Sequence, residues 1–155
     1  MTEFKQLQVA ARSGDAQAQF KLGVACDNGE GVKRDPVAAA NWYRFAAEQG
    51  HALAQLHLGL MLNSGDTALE RDDADAARWY LKAAEQGLAD AQFNLALMYY
   101  NAEGMEQDDD AAFHWFEAAA RLGHAKAQFN LGALYANGHG VEQDNVEVYK
   151  WWLLA

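Results

Sequence analysis

Glycine recurs at a near-constant interval along this chain, and the residues between successive glycines repeat one pattern. Gly14, Gly50, Gly87 and Gly123 lie 36, 37 and 36 residues apart. Self-similarity at such a period is typical of stacked repeat architectures. Because one unit of this size cannot bury its apolar face alone, each unit must pack on its neighbours. The sequence therefore divides into an N-terminal segment, 1–13, and four repeats, 14–49, 50–86, 87–122 and 123–155, the last of them incomplete.

Each repeat contains the patterns of two helices. In the third repeat Ala91, Leu95 and Met98 occupy positions i, i+4 and i+7, which predicts an amphipathic first helix. The second helix is predicted to begin after an N-capping aspartate in every repeat: Asp35, Asp72, Asp108 and Asp144. A left-handed glycine is predicted to end each first helix, at Gly29, Gly65, Gly104 and Gly138. No strand-like alternation interrupts these patterns, so the predicted fold class is all-α. The extra residue of the second repeat is placed in its loop, at 66–71.

Small residues and aromatic pairs recur inside the helices. Glycine within a helix costs about 1 kcal/mol relative to alanine. A small residue in the middle of each first helix therefore predicts a close approach of two backbones, at Gly23, Gly59, Ala96 and Gly132. Each second helix carries a tryptophan followed by another aromatic residue: Trp42 and Tyr43, Trp79 and Tyr80, Trp115 and Phe116, Trp151 and Trp152. Their regular spacing predicts core positions, with a ligand cage as the alternative. The last pair is the exception, because it lies at the C-terminal edge. Residues 1–13 match a second helix with Gln6 at the tryptophan position, which predicts an N-terminal capping helix.

The repeat resembles that of the Sel-1-like repeat family, a relative of the tetratricopeptide repeats. At 125–135 the fourth repeat reads Ala-x-Ala-Gln-x-x-Leu-Gly-x-x-Tyr, and Gly138-x-Gly140-Val141 follows. The second repeat lacks the second loop glycine, and the fourth stops inside its second helix. The resemblance covers essentially the whole chain and implies antiparallel helix pairs stacked into a right-handed superhelix. The length of 155 residues and the four repeats predict that this solenoid is one domain over 1–155. The resemblance also implies that the first helices line a concave surface, and that the protein is a non-enzymatic adaptor for protein complexes.

Composition narrows the class of partner. The net charge of −10 argues against nucleic acid, because phosphate binding requires clustered lysine and arginine. It is compatible with a basic protein partner. No apolar run approaches the ~18 residues of a membrane span, and the N-terminal residues lack the apolar core of a signal peptide. We therefore expect a cytoplasmic protein with no membrane partner.

No pattern indicates a cofactor, a metal or a catalytic site. The histidines have no partner histidine at i+4 and no converging ligands. The acidic runs 70–73 and 106–110 lack the ligand pattern of a calcium loop and suit helix starts. The Gly-x-Gly loops follow helices and lack the strand and lysine of a phosphate-binding loop. Cys26 is expected to be a buried, inert thiol. A cysteine-rich subset of the family binds or cleaves β-lactams, but this chain lacks the cysteine pairs, so a hydrolase is the remote alternative.

A second stripe on the first helices, outside the core positions, varies in chemistry from repeat to repeat. Variation on a constant scaffold predicts a partner-binding groove, with Leu60 and Leu97 as apolar anchors. An ordinary solvated face is the alternative. The predicted groove residues are Lys21, Val24, Asn28, Leu53, His57, Leu60, Asp90, Asn94, Leu97, Asn101, Lys126, Asn130 and Asn137.

These observations predict an adaptor that binds a peptide or protein segment in the groove. An inhibitor or immunity-type protein that neutralises one target is the alternative. The C-terminal edge is a second predicted contact surface, because Val148 and Trp152 lie on the face that a fifth repeat would cover. An apolar patch of this kind usually marks an interaction site. It predicts a weak homodimer at high concentration. The alternatives are that a longer natural chain or another partner covers the apolar patch.

Overall fold

The computed structural model describes residues 3–65 and 69–155, and within these ranges it contains nine α-helices and no strand. The helices are α1 (Glu3–Arg12), α2 (Ala16–Asn28), α3 (Pro36–Glu48), α4 (Ala52–Ser64), α5 (Asp73–Glu85), α6 (Ala89–Asn101), α7 (Asp109–Arg121), α8 (Ala125–Asn137) and α9 (Asn145–Leu154). Helix α1 is the predicted N-terminal capping helix, and the other eight helices form the four predicted helix pairs. The all-α repeat fold is confirmed. The predicted position of the extra residue in the loop of the second repeat, 66–71, includes residues 66–68, which lie outside the described residues.

The chain forms two compact units, Met1–Lys82 and Ala83–Ala155. In the first unit α2 packs against α1 and α3, and α3 packs against α4. In the second unit α7 packs against α6 and α8, and α8 packs against α9. Each unit therefore consists of consecutive helices in contact, as expected when a repeat buries its apolar face on the next one.

The aspartates predicted to begin the second helices cap them as expected. A side-chain oxygen of Asp35, Asp72 and Asp108 accepts a hydrogen bond from the backbone N–H three residues later, at 2.9 Å in each case. Asp144 accepts from the N–H groups of Val146 and Glu147 at 2.8 and 3.2 Å. These bonds satisfy donors that an isolated helix start leaves unpaired, so the helix boundaries are fixed locally.

The glycine prediction for the end of α6 is wrong. The helix ends at Asn101, and its left-handed C-terminal residue is Ala102, with φ of 59°. Gly29, Gly65 and Gly138 fill this position in the other repeats, as predicted. Gly104 lies two residues further along the chain, within the loop. The prediction therefore assigned this loop glycine to the wrong position of the repeat. Ala102 consequently holds a conformation that an L-residue adopts at a cost.

The small residues within the first helices make room for aromatic rings, which corrects the expected contact of two backbones. A Cβ atom added at Gly59 would lie 2.7 Å from Cε1 of Tyr80, and one at Gly23 would lie 2.6 Å from Cδ1 of Tyr43. In the fourth repeat the ring of Trp152 occupies the corresponding place against Gly132. In these three repeats the second residue of the aromatic pair therefore packs directly on the backbone of the first helix.

The core follows the aromatic pairs, and in the first three repeats the second member is the deeper one. Tyr43, Tyr80 and Phe116 are each 1% exposed, whereas Trp42 and Trp115 are half-buried. Trp79 and Trp151 are buried. The core interpretation of the pairs is therefore correct for most members, and Trp152 is the exception described below.

A buried glutamine joins each first helix to the preceding second helix. The Nε2 groups of Gln19, Gln55, Gln92 and Gln128 donate to the carbonyl oxygens of Ala11, Ala47, Ala84 and Ala120 at 3.1 to 3.2 Å. Buried amides are stable only when they are hydrogen-bonded. The Ala-x-Ala-Gln pattern thus fixes the contact between consecutive helices.

Candidate partner-binding surface

Most of the predicted groove residues lie on the solvent side of α2, α4, α6 and α8. Leu53 and Leu60 are 43% and 42% exposed on α4, although neighbouring leucines of the same helix are buried. The polar members Lys21, Asn28, Asp90, Asn101, Lys126 and Asn137 are also exposed. Val24, Asn94 and Asn130 are half-buried. Most of the stripe is thus available to a partner.

Two of the predicted groove residues, Leu97 and His57, also contact the interior. Leu97 is half-buried and packs against the core cluster of the second unit. His57 is half-buried, with its ring centroid 5.5 Å from that of Phe20 and 5.1 Å from that of Tyr43. Burial lowers the pKa of His57 below its ordinary value, although the negative charge of Asp27 opposes this effect. The imidazole is consequently a neutral packing group near pH 7.

A cleft of about 700 Å³ lies between α1 and α2 in the first unit. Its apolar lining includes Phe4, Leu7 and Val24, and Lys21 and Glu30 supply charge beside it. Phe4 and Leu7 were not among the predicted site residues. Their i, i+3 spacing in the N-terminal helix was the available signal, but it cannot tell a cleft wall from ordinary packing.

A smaller cleft of about 130 Å³ lies on the first-helix face of the second unit. It brings together the predicted residues Leu97, Asn101, Asn130 and Asn137. Its other lining residues are Tyr100, Phe116, Ala133 and Leu134. Apolar side chains thus share the cleft with three asparagine amides.

Histidine caps two of the first helices and is held by an aromatic stack. Nδ1 of His51 accepts from the N–H of Ala54 at 3.2 Å, and Nδ1 of His124 accepts from Ala127 at 3.1 Å. The rings stack on Phe20 and Phe93 respectively, with centroids 4.6 and 4.5 Å apart. Both histidines therefore have a structural role at the starts of their helices.

At the C-terminal edge, Trp152 is exposed and Val148 is buried. Val148 is 6% exposed, so it is not available to a partner, and the prediction for this residue is wrong. Trp152 is 45% exposed, and its indole N–H donates to the carbonyl of Phe129 at 3.1 Å. Phe129 itself is 58% exposed. Of the two predicted edge residues, only Trp152 contributes to an accessible apolar surface.

The described residues provide little for metal or thiol chemistry. Within 3–65 and 69–155, no three histidine, cysteine, aspartate or glutamate residues converge as metal ligands. Cys26 is buried, and burial together with the charge of Asp35 raises the pKa of its thiol. A raised pKa disfavours the reactive thiolate. Across the same part of the chain, every helix is too short or too polar to traverse a lipid bilayer.

The repeats identified above match a known family over their full length. The model of the Sel1 repeat matches at 16–51, 52–88, 89–124 and 125–155. The chain belongs to the Sel1 repeat family. Sel1 repeat proteins are generally helical scaffolds that bind other proteins. The comparison with curated proteins gives no match.

Solved structures with Sel1 repeats superpose closely on this chain. A protective antigen present in uropathogenic Escherichia coli strains, which displays an SLR fold, is 37% identical with a TM-score of 0.93, over 99% of this chain and 33% of that chain. A Sel1 repeat protein from Oxalobacter formigenes is 32% identical with a TM-score of 0.87, over 97% and 59%. Cysteine rich protein B of Helicobacter pylori, at 23% identity and a TM-score of 0.61 over 81% and 95%, shares the fold. The chain thus spans one third of the first relative and about three fifths of the second.

Proposed function

We propose that this Sel1 repeat chain is a non-enzymatic, cytoplasmic adaptor that binds a peptide or protein segment on its first-helix faces. The pair Leu53 and Leu60 carries the proposal. These leucines lie seven residues apart on α4, more than 40% exposed, in a helix whose other leucines are buried. Apolar side chains at this spacing suit an apolar partner surface. Polar side chains that differ between repeats surround them and supply specificity.

An inhibitor or immunity-type role uses the same surface and is the alternative. The two roles differ in the partner and not in the contact. An inhibitor binds one protein and abolishes its activity, whereas an adaptor leaves its partner active and joins it to a third component. Activity of the captured partner in the presence and absence of the chain separates the two roles.

The test of the proposed function compares two matched double variants. Leu53→Asp with Leu60→Asp places charge on the first-helix face. The control variant, Val37→Asp with Phe45→Asp, places the same charge on α3. Its two side chains are 44% and 51% exposed in the unchanged chain. Each variant and the unchanged chain are used to capture partners from a lysate of the source organism, which are identified by mass spectrometry.

The proposed function predicts proteins that bind the unchanged chain and the α3 variant but not the α4 variant. Circular dichroism confirms that both variants retain their helices. Equal capture by both variants contradicts the proposed surface.

We further propose that the chain forms a weak homodimer through its C-terminal edge at high concentration. Phe129 and Trp152, whose rings stack with centroids 6.1 Å apart, supply an apolar contact. Identical patches pair with two-fold symmetry and close after two copies. Sedimentation between micromolar and millimolar concentration tests this, since Trp152→Ser is expected to abolish association. A monomer at every concentration contradicts it.

A further inference from the structure

The cleft between α1 and α2 is lined like the surface on which a first helix packs. Helix α1 aligns with the second helices of the repeats, and Leu7 is equivalent to Tyr43. Tyr43 is 1% exposed, because it packs on Gly23 of the first helix that precedes it. Among residues 3–65 and 69–155 no first helix precedes α1, and Leu7 is a half-buried wall of the cleft. The cleft therefore lies where the repeat geometry places a first helix.

The contacts of α2 with the next repeat show what a helix in this place would touch. Oε1 of Gln17 lies 3.1 Å from Nε2 of His51. The ring of Phe20 lies against the rings of His51 and His57, with centroids 4.6 and 5.5 Å apart. Gly23 makes the third contact, with the second helix of its own repeat. The contact positions of a first helix are thus i, i+3 and i+6.

The cleft carries a matching set of three groups. Asp15 is equivalent to His51, and Lys21 is equivalent to His57. Asp15 caps α2 by accepting a backbone N–H at 2.6 Å, and a carboxylate has the capacity for further hydrogen bonds. A basic side chain at position i would meet Asp15, and an aromatic ring at i+3 would meet the ammonium group of Lys21, which is a favourable contact. A small residue at i+6 would meet Leu7.

We propose that the cleft between α1 and α2 binds an amphipathic α-helix of a partner protein, which packs there as a first helix does within the repeats. The partner helix carries lysine or arginine at i, an aromatic residue at i+3, and glycine or alanine at i+6. The contact with Asp15 orients this helix, and the apolar contacts supply most of the affinity, because exposed ion pairs contribute little. The site goes beyond the proposed function, since Leu53 and Leu60 do not line this cleft.

The chain itself supplies a probe with the proposed pattern. Lys126, Phe129 and Gly132 of α8 have the three residue types at the three positions. A peptide of residues 124–138 is labelled with a fluorophore and titrated with the full chain, and binding is measured by anisotropy. A lactam bridge outside the contact positions holds the peptide helical, because a helix of this length is marginal in water. We expect this peptide to bind and a scrambled peptide of the same composition not to bind.

Two matched variants of α1 locate the bound peptide. Leu7→Asp places charge in the cleft and is expected to weaken binding about tenfold or more, as the loss of a central apolar contact does. Val9→Asp places the same charge on the same helix, at a side chain that is 61% exposed and outside the cleft lining. It is expected to bind within about twofold of the unchanged chain. Val24→Trp, which fills the cleft from α2, is a second blocking variant, and melting temperatures check the fold of each.

Variants of the peptide test the residue pattern. Gly132→Ala is expected to retain or improve affinity, since Ala96 occupies this position in the third repeat. Gly132→Leu is expected to weaken binding about tenfold or more, because the larger side chain would overlap Leu7. Lys126→Gln is expected to weaken binding about two- to threefold to the unchanged chain but not to Asp15→Asn, which keeps a capping side chain and removes the charge.

Four results would overturn the inference. The first is no binding of the bridged peptide to the unchanged chain. The second is equal binding to the unchanged chain, Leu7→Asp and Val24→Trp, and the third is equal affinity for the Gly132→Leu and unchanged peptides. The fourth is self-association of the full chain in sedimentation that Leu7→Asp abolishes, which would make a second copy the occupant. The Leu53→Asp, Leu60→Asp variant is expected to bind the peptide normally, so the proposed function stands or fails separately.

Discussion

Replacement of Ala102 by glycine is expected to stabilise the chain, although glycine usually weakens helical proteins. Ala102 has φ of 59°, in the left-handed region. This conformation costs an L-residue about 1–2 kcal/mol. Glycine removes that cost but gains about 0.4–1 kcal/mol of freedom in the unfolded chain. The net expectation is an increase of about 0.5–1 kcal/mol in the free energy of unfolding.

The same substitution in a helix interior supplies the control. Ala118 lies within α7, also in the second unit, and is half-buried. Ala118→Gly is expected to lower the free energy of unfolding by about 1 kcal/mol, because glycine is a poor helix former. Urea denaturation followed by circular dichroism measures both variants. Destabilisation by both substitutions would refute the assignment of Ala102 to the left-handed end of α6.

Three further predictions concern the core and its titration. Gly59→Ala is expected to destabilise the chain by about 1–3 kcal/mol despite its better helix propensity, because the new Cβ would overlap the buried ring of Tyr80; an unchanged or higher melting temperature argues against this close contact. Trp79→Ala, at a buried position, is expected to cost about 3–5 kcal/mol, whereas a loss below about 1 kcal/mol would place the ring on the surface. His57 has a lowered pKa in the folded state, so the unfolded chain binds more protons and stability falls as pH drops below the ordinary value of about 6.5. His57→Gln is expected to show a smaller decrease between pH 7 and pH 5 in urea denaturation, and an unaltered pH dependence contradicts the burial of this ring.

The elements that depend on local chemistry could be predicted from the sequence. The capping aspartates before α3, α5, α7 and α9 act on neighbouring N–H groups, so their position fixes the helix starts. The end of α6 was mispredicted because the loop of the third repeat contains one glycine, whereas the repeat has two loop positions at which a glycine can lie. Only the backbone shows that Gly104 occupies the second position and Ala102 the first.

The candidate site was only partly predictable because burial depends on neighbours in space. Leu60 and Leu97 occupy equivalent positions in the sequence, yet Leu60 is exposed whereas Leu97 contacts the core. His57 belongs to the same varied stripe as Lys21, but it packs between two aromatic rings. The wall that Phe4 provides to the first cleft depends on a contact between α1 and α2. Helical periodicity identifies the residues that share one face of a helix. It does not identify the residues that pack against that face.

The most direct test of partner binding on the first-helix faces is leucine-methyl NMR of the chain with a captured partner. The proposed function predicts chemical-shift changes at the methyl groups of Leu53 and Leu60. It predicts none at Leu81 or Leu122, which are exposed on α5 and at the end of α7. Shifts at Leu81 and Leu122 without changes at Leu53 and Leu60 would contradict the central claim.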